Sequence, residues 1–344
     1  MIENMIEERD FLNENLSEQS NETPLVAVVI PTKNRSAAVE QYALSSLQRS
    51  SFRDFVCVVW DASDDDSTRS VVESRSWDFG LLYFKAPRVG LSSQRNDATR
   101  YILKTYLTMR YVVFMDDDSA LSKDALAGVV ASFREKDVSI VNIPMKPLVP
   151  PSFRSKIIQR FKRLLRMNRH GATSFLYNYG GNEEPRGHNV EWASGGGMAI
   201  DVAVFKDCRV FFPEEFQRFG GYALGEDFAF SFFIFKKKRR RVINSLRGYF
   251  YHYAVGSARL DIKNMAASKW YNFHLLFEAL YDDVKGPRLW SLKIAFKLFM
   301  WGAALKLLFR ARSCDVRSLL KGIVSAEAAL RSYRENGDTR LFEN

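Results

Sequence analysis

The segment "YVVFMDDDSALS" (residues 111–122) runs from four apolar residues directly into three carboxylates, Asp116, Asp117 and Asp118. Neighbouring like charges repel and raise one another's pKa, so the cluster costs stability unless positive charge lies beside it. An apolar run that ends in carboxylates is typical of a buried strand followed by a polar turn. It also occurs at metal sites at the carboxyl ends of strands, and the motif alone leaves both interpretations open.

The flanking segments place this strand in an alternation of strands and helices. Abruptly ended apolar runs predict strands at 25–30, 55–60, 81–86 and 111–115. The stretches between them predict helices at 37–48, 67–74 and 94–107. Ser92 or Ser93 is the expected N-cap of the last helix. This alternation indicates an α/β fold with a doubly wound, mostly parallel sheet. Ligands bind such sheets outside the carboxyl ends of the strands, where Pro31–Asn34, Asp61 and Asp116–Asp118 lie.

The composition is that of a globular, cationic protein. Of 344 residues 47% are hydrophobic, and the net charge of +10 predicts an anionic partner. The three cysteines lie far apart without zinc-ligand spacing, which suits a reducing compartment. Residues 1–23 form an acidic, polar segment unlike a signal peptide, and no apolar stretch reaches about 18 residues. We therefore expect a cytoplasmic protein with an acidic disordered tail and no conventional transmembrane helix.

Two further motifs stand in the second half of the chain. Three consecutive glycines, Gly195 to Gly197, mark a place where the backbone bends or approaches another group closely. In "GEDF", Gly225 breaks the chain, and Glu226 and Asp227 begin a strongly apolar helix. Carboxylates in a first turn are favourable to the helix dipole, so capping is the simpler explanation of their position.

In this order, "PTKNR", "DAS", "GLSSQRN", "MDDD", "GGGMAI", "FGGY" and "GEDF" resemble the motifs of the inverting family 2 glycosyltransferases of GT-A fold. The later segments "YHYAVGS" and "KWYNFHLLF" also resemble this family, so the likeness covers residues 25–280. It implies a GT-A domain at 24–255 with its nucleotide-sugar site at the carboxyl ends of the strands. A basic amphipathic insertion at 153–170 would interrupt this domain, and a C-terminal helical region at 256–344 would follow it.

The resemblance assigns roles to individual residues. Nucleotide-sugar contacts fall on Pro31, Thr32, Asn34, Asp61, Arg95, Asn96, Asp116, Asp117, Gly196 and Gly197. A divalent cation, Mg²⁺ or Mn²⁺, would bind Asp118, with Asp116 and His252 as further ligands. Carboxylate oxygens are hard ligands that suit both ions. Asp227 matches the general base of the reaction, with Glu226 beside it.

Some of these roles have simpler alternatives. Asp61 could cap its own loop, and Arg95 could be one solvated residue of an amphipathic helix. His252 could be packed in the core among tyrosines. Asp117 occupies the variable middle position of the carboxylate motif, so we expect only a minor role for it.

The resemblance predicts a metal-dependent inverting glycosyltransferase that moves one sugar from a nucleoside diphosphate sugar to a saccharide or lipid-linked acceptor. The first loop reads "TKNR" where many relatives carry an aromatic and an acidic residue. No Q-x-x-R-W segment and no bundle of membrane spans is evident, which argues against a processive polysaccharide synthase. Two alternatives stay open. One is a sugar nucleotidyltransferase, although "PTKNRSAAVE" contains no glycine. The other is a non-enzymatic basic adaptor for anionic membrane or nucleic acid, whereas the glycosyltransferase is expected to bind no nucleic acid.

Two basic, apolar-rich segments suggest contact with an anionic membrane surface. Residues 153–170 carry one apolar helical stripe flanked by arginines and lysines. In residues 289–312, Lys306 falls on the opposite helical side from Lys293 and Lys297, which favours two short helices over one clean amphipathic helix. Packing on the protein with a solvated basic face is the alternative for both segments. A peripheral position on the inner face of the cell membrane is thus compatible with the sequence.

Overall fold

The computed structural model describes residues 24–74, 76–149, 171–174, 176, 178–179, 184–255, 261–310, 316–337 and 341–342. The predicted tail at 1–23 and the predicted basic helix at 153–170 lie outside the described residues.

Strands and helices alternate in the first half of the described chain, and helices dominate its end. The strands are β1 (Val26–Thr32), β2 (Phe55–Asp61), β3 (Gly80–Lys85), β4 (Tyr111–Phe114), β5 (Ser119–Leu121), β6 (Val138–Asn142), β7 (Gly171–Ala172), β8 (Asn178–Tyr179), β9 (Asn189–Val190), β10 (Met198–Asp201), β11 (Arg241–Asn244) and β12 (Phe250–His252). The α-helices are α1 (Ser36–Ala38), α2 (Ser45–Gln48), α3 (Ser67–Glu73), α4 (Leu91–Thr105), α5 (Ala125–Ser132), α6 (Ala203–Cys208), α7 (Glu226–Lys236), α8 (Ile262–Tyr281), α9 (Gly286–Arg310) and α10 (Val316–Glu335). A π-helical segment at Val39–Leu44 joins α1 to α2, and 3₁₀ turns lie at Gly195–Gly197 and Glu214–Gln217.

The described strands build an eight-stranded central sheet in the order β3-β2-β1-β4-β10-β6-β11-β9. β1 pairs in parallel with β2 and β4, β2 with β3, and β6 with β11. β10 runs antiparallel between β4 and β6. The prediction of an α/β fold with a mostly parallel sheet is confirmed. β5 and β12 form a separate antiparallel pair.

Both faces of the sheet are buried, which is why its strands are continuous apolar runs. Along β1, Ala27 and Val29 pack into one core cluster, whereas Val28 and Ile30 pack into the other. Side chains alternate between the faces of a strand, so one apolar run supplies both layers. The first cluster continues into α7 and α8, and the second contains residues of α2 and α5.

The carboxyl ends of β1, β2 and β4 meet at one edge of the sheet. Thr32 lies opposite Asp61 in the register of β1 and β2. Because β10 runs the opposite way, its first residue, Met198, pairs with Phe114 at this same edge. The turn Gly195–Gly197 therefore arrives beside the three carboxylates that follow β4.

The predicted cap of α4 is wrong. This helix begins at Leu91 with Gly90 as its N-cap, so Ser92 and Ser93 lie within its first turn. Gly90 has a φ of 145°, and a Cβ placed on it would lie 2.2 Å from the side-chain oxygen of Gln217. The side-chain oxygen of Gln217 also accepts from the N–H of Ser93 at 3.3 Å, so a residue distant in sequence pairs with the first turn of the helix.

The prediction of two short helices within 289–312 is also wrong, because Gly286–Arg310 form one helix of 25 residues. The inner face of α9 is buried, and the ring of Phe296 stacks on Phe277 of α8 at 4.5 Å. Helices α8, α9 and α10 thereby extend the core cluster of one sheet face. Within the described ranges, every helix is too short or too polar to span a membrane.

Candidate functional site

Each of the three carboxylates after β4 is paired with a cation of the chain itself. Oδ1 of Asp117 lies 3.0 Å from Nη1 of Arg35, and Oδ2 of Asp118 lies 3.3 Å from the same nitrogen. Oδ1 of Asp116 lies 3.2 Å from Nη2 of Arg95. The positive charge that the cluster requires is therefore built into the first loop and into α4.

Arg95 is the buried centre of the site. Its side chain is 1% exposed, and its Nη1 lies 2.6 Å from Oε1 of Glu226, whereas Asp116 pairs with the other terminal nitrogen. The guanidinium also lies over the rings of Phe114 and Phe212, at 5.8 and 5.2 Å from their centres. The alternative that Arg95 is a solvated helix residue is wrong. Its planar donor fork holds two carboxyl groups from distant parts of the chain in fixed positions.

Glu226 and Asp227 begin α7, as predicted, after Gly225 with a φ of 82°. Glu226 is buried, and burial together with the neighbouring Asp227 raises the pKa of its carboxyl group to about 8. Asp227 is half-buried, and its Oδ2 accepts a hydrogen bond of 2.8 Å from the backbone N–H of Gly195. Its Oδ1 accepts from the N–H of Phe228 at 2.7 Å. Two backbone donors therefore fix the orientation of the Asp227 carboxylate.

The glycine turn packs too closely against the site for any side chain. A Cβ on Gly195 would lie 2.7 Å from Nη2 of Arg95. A Cβ on Gly196 would lie 2.9 Å from the ring of Phe250 and 3.2 Å from Oδ2 of Asp116. The glycines thus let the backbone pass between the carboxylates and the aromatic ring. Close packing, rather than flexibility, therefore explains why residues 196 and 197 are glycines.

Asp116, Asp118 and His252 can offer ligand atoms that all lie within 4.8 Å of one another. Nε2 of His252 lies 3.1 Å from Oδ1 of Asp118, and the His252 side chain is 38% exposed, so the alternative of a packed core histidine is wrong. The hydrogen bond to Asp118 raises the pKa of His252 above its ordinary value. Burial alone would raise the pKa of Asp118, but its hydrogen bond with His252 holds it below its usual range.

The group fits a divalent cation in its donor chemistry. Two carboxylates and one imidazole are ligands that Mn²⁺ accepts, and carboxylates also suit Mg²⁺. The buried hydroxyl of Ser119, which faces His252 in the register of β5 and β12, has no hydrogen-bond partner among the described residues. An unsatisfied buried oxygen beside two carboxylates is consistent with a place for an ion or its bound water.

The first loop is fastened to the carboxylates and to the loop after β2. The hydroxyl of Thr32, next to Pro31, donates to Oδ2 of Asp117 at 2.8 Å. Asn34 has a φ of 55°, and its backbone N–H donates to the hydroxyl of Ser63 at 2.7 Å. Asp117, for which we expect a minor role, is thus the carboxylate that anchors this loop. Burial raises the pKa of Asp117 to about 6 although Arg35 opposes the shift.

Two residues assigned to the nucleotide sugar are fully buried with their polar atoms occupied. Oδ1 of Asp61 accepts from the N–H of Ser63 at 2.8 Å, and its Oδ2 accepts from the hydroxyl of Tyr83 at 2.9 Å. The amide of Asn96 donates to the carbonyl of Phe212 and accepts from its N–H, both at 2.9 Å. Asp61 thus caps its own loop, and Asn96 holds the backbone at Phe212. Their contacts with a nucleotide sugar stay predictions.

Arg35 belongs to the site although no role was predicted for it from the sequence. The signal was present, because three adjacent carboxylates require a cation and Arg35 belongs to the loop at the same edge of the sheet. The stacking of Tyr42 on Tyr253, with ring centres 4.0 Å apart, was likewise not predicted. This stack ties the π-helical segment to the residue after His252.

Known proteins resemble the chain in sequence and in fold. The family model described as "Glycosyl transferase family 2" matches residues 27–206, just over half of the chain. A Campylobacter jejuni protein named GalNAc(5)-diNAcBac-PP-undecaprenol beta-1,3-glucosyltransferase is 29% identical over 115 residues, which are 33% of this chain and 35% of that protein. The match thus spans about a third of that relative's length.

Two solved structures share the architecture. The mannosyltransferase PcManGT of Pyrobaculum calidifontis, in complex with GDP-Man and Mn²⁺, has a TM-score of 0.52 at 16% identity, over 92% of this chain and 76% of that one. GalNAc-T7, with UDP, GalNAc and Mn²⁺, has a TM-score of 0.54 at 13% identity, over 85% of this chain and 59% of that one. At these identities the likeness shows the fold alone.

Proposed function

Because the chain belongs to glycosyl transferase family 2 and has the GT-A fold, we propose that it moves one sugar from a nucleoside diphosphate sugar to a saccharide or lipid-linked acceptor, with inversion at the transferred carbon. Family membership favours glycosyl transfer over a sugar nucleotidyltransferase and over a non-enzymatic adaptor. The observation that carries the proposal is the meeting of the carboxylate cluster and Asp227 around one glycine turn. Gly195 binds Asp227, and Gly196 adjoins Asp116.

Asp227 is the general base in this proposal. Inversion needs a single displacement, in which the acceptor oxygen bonds to the sugar carbon on the face opposite the leaving group. Asp227 takes the proton of the acceptor hydroxyl, and the nucleoside diphosphate leaves with the electron pair of the broken C–O bond. The N–H groups of Gly195 and Phe228 hold the carboxylate in place for this proton transfer.

Glu226 acts as a positioning residue rather than as a second base. Its buried carboxyl group contacts Arg95, which also contacts Asp116. Through this pair, the start of α7 and the end of β4 are held at a fixed separation. The arrangement supports a division of labour in which Asp227 faces the acceptor and Asp116 faces the donor.

Asp116, Asp118 and His252 would hold Mn²⁺ or Mg²⁺. When bound, the ion supplies positive charge that stabilises the departing diphosphate. Both fold neighbours were solved with Mn²⁺, which supports Mn²⁺ as the ion. Arg35 and Arg95 add positive charge at the same edge and favour an anionic donor there.

A lipid-linked acceptor is the more specific part of the proposal. The Campylobacter jejuni relative is named for an acceptor carried on PP-undecaprenol. The net charge of +10 favours an acceptor that carries a diphosphate and lies at an anionic surface. The two fold neighbours bind GDP-Man and UDP, so guanosine and uridine diphosphate sugars are both candidate donors.

The test is thermal stability of the purified protein with UDP, dTDP, GDP or CDP, each with and without Mn²⁺. Binding to the folded state raises the melting temperature by mass action. We expect one nucleotide to stabilise the protein only when Mn²⁺ is present, and Asp118→Asn to abolish that shift. A protein that stays folded but responds to none of these nucleotides would contradict the proposed donor site.

A further inference from the structure

Helix α9 exposes an apolar stripe to solvent. Its outward side chains are between 49% and 72% exposed, although they are large and apolar. We call these residues the α9 stripe: Trp290, Ile294, Leu298, Trp301 and Leu305. Their spacing of three or four residues places them along one face of the helix. The stripe extends for about 22 Å along the helix axis, given the rise of about 1.5 Å per residue.

Apart from Trp301, whose ring meets Trp270 of α8 edge to face at 5.2 Å, the stripe is distinct from the face that packs on the protein. Phe296 and Met300 of α9 are buried, and Phe296 contacts both Phe277 and His274 of α8. The inner face of α9 is therefore already buried against the protein. Contiguous exposed apolar surface on a soluble domain marks a site of interaction.

The charges along α9 are all positive. The helix contains five cations and no carboxylate. At about 100° per residue, Lys293 and Lys297 fall along one border of the stripe, and Arg288 and Lys306 fall along the other. This arrangement explains why Lys306 lies on the opposite helical side from Lys293 and Lys297. One face of the helix packs on the protein and the other is exposed, and the cations lie along both borders of the exposed face.

We propose that the α9 stripe docks into the surface of an anionic lipid bilayer, with the helix lying in the plane of the interface. Tryptophan and leucine side chains would enter the boundary between headgroups and acyl chains, where the amphipathic indole ring is favoured. Lysine and arginine would extend beside them to anionic headgroups.

The same charges argue against a second copy of this chain as the occupant. A two-fold contact through α9 would set Arg288, Lys293, Lys297 and Lys306 of one helix against the same cations of the other. Like charges placed together at an interface are unfavourable. An anionic surface complements both the apolar stripe and its borders.

The docking face lies on the same side of the sheet as Asp227. The ring of Phe299 on α9 lies 6.1 Å from Phe273 of α8, which in turn lies 6.1 Å from Phe228. Phe228 follows Asp227 directly. If the proposed function is right, docking brings this side of the molecule towards a lipid-anchored acceptor. The docking itself does not depend on that function.

Flotation of the full-length protein with lipid vesicles tests the proposal. We expect the protein to float with vesicles of phosphatidylglycerol and phosphatidylcholine, to stay behind with pure phosphatidylcholine, and to be released by added salt. Leu298→Glu and Lys297→Glu should each lower the bound fraction, the first by about tenfold or more. Leu107→Glu and Lys136→Glu are the matched controls, because Leu107 is 75% exposed in the turn after α4 and Lys136 is exposed far along the chain from α9.

A second measurement distinguishes insertion of the side chains into the bilayer from electrostatic binding to its surface. Brominated lipids should quench the fluorescence of the bound protein, and Trp290→Phe should lose part of that quenching when equal amounts of bound protein are compared. The proposal is overturned if the wild type binds no vesicles, or if Leu298→Glu binds as well as Leu107→Glu. It is also overturned if Leu298→Glu only converts a dimer into a monomer, measured by light scattering, since a second copy would then cover the stripe.

Discussion

Nη1 of Arg35 lies 3.3 Å from Oδ2 of Asp118, the carboxylate for which a metal ion is predicted. The chain thus places its own cation against a metal ligand. The guanidinium and a divalent ion would compete for the negative charge of Asp118, since both are attracted to it at short range.

Arg35→Met is therefore expected to tighten Mn²⁺ binding several-fold in the absence of nucleotide. The same change leaves the buried Asp117 without its cation, so the metal-free protein should melt at a lower temperature. Electron paramagnetic resonance of free Mn²⁺ gives the Kd directly. Lys33→Met is the control, because Lys33 lies in the same loop but pairs with the exposed Asp64. Weaker Mn²⁺ binding by Arg35→Met would contradict the competition.

Asp227→Asn is expected to lower the rate of sugar transfer by about 10²–10⁴-fold, because the amide cannot accept the proton of the acceptor hydroxyl. The thermal shift caused by nucleotide and Mn²⁺ should stay at the wild-type value. Asp207→Asn, at an exposed aspartate of α6, should transfer normally. Transfer by Asp227→Asn at the wild-type rate would mean that another group is the base.

Glu226 should make stability depend on pH. Its pKa of about 8 in the folded protein is well above the value of about 4.3 expected in the unfolded chain. Between these values the folded state holds the extra proton, so its contribution to stability is complete below about pH 4 and is lost as pH rises through about 8.

Glu226→Gln is uncharged in both states and should lose that part of the pH dependence. Melting temperatures measured from pH 5 to pH 9 should therefore fall less steeply for Glu226→Gln than for the wild type. Glu135→Gln, at an exposed glutamate, should follow the wild-type curve. Parallel curves for all three proteins would show that Glu226 carries no raised pKa.

Gly196→Ala should disturb the metal group without removing any ligand. The added methyl would meet the ring of Phe250 at 2.9 Å and Oδ2 of Asp116 at 3.2 Å. Overpacking of this kind costs about 1–3 kcal/mol of unfolding free energy. We expect weaker Mn²⁺ binding as well, because Asp116 must shift.

Gly302→Ala provides the opposite control. Beyond its own helical turn, no atom of the described residues lies within 4 Å of its added Cβ, and Gly302 is within α9. Replacing an exposed helical glycine by alanine stabilises a helix by about 0.5–1 kcal/mol. Chemical denaturation measures the free energy of unfolding of both variants. A change of the same sign in both would contradict the close packing at Gly196.

The parallel half of the sheet could be predicted because each strand is buried on both faces and reads as an apolar run bounded by polar residues. The first residues of α7 were predictable for a similar local reason, since Gly225 and two carboxylates mark a helix start. These features depend on neighbours in sequence. They need no knowledge of which distant segments meet.

The pairings within the site could not be predicted in this way. Whether Arg95 meets solvent, a diphosphate or Glu226 depends on where α7 lies relative to α4, and the two are separated by more than 100 residues. The predicted cap of α4 was wrong for a similar reason, because Gln217, which is distant in sequence, lies against Gly90 and accepts from the N–H of Ser93. Asn96 likewise pairs with a backbone segment that the local pattern does not reveal.

The antiparallel β10 has a consequence for how the molecule is made. Strands β1 to β4 are complete at Phe114, but among the described strands the outer edge of β4 pairs with Met198–Asp201. During synthesis the ribosome must therefore add more than 80 residues while an apolar strand edge stays unpaired. Such edges are templates for aggregation, and contacts distant in sequence form slowly. We expect the nascent chain to need a chaperone in this interval, and the carboxylate cluster to acquire its final shape only when β10 closes the sheet.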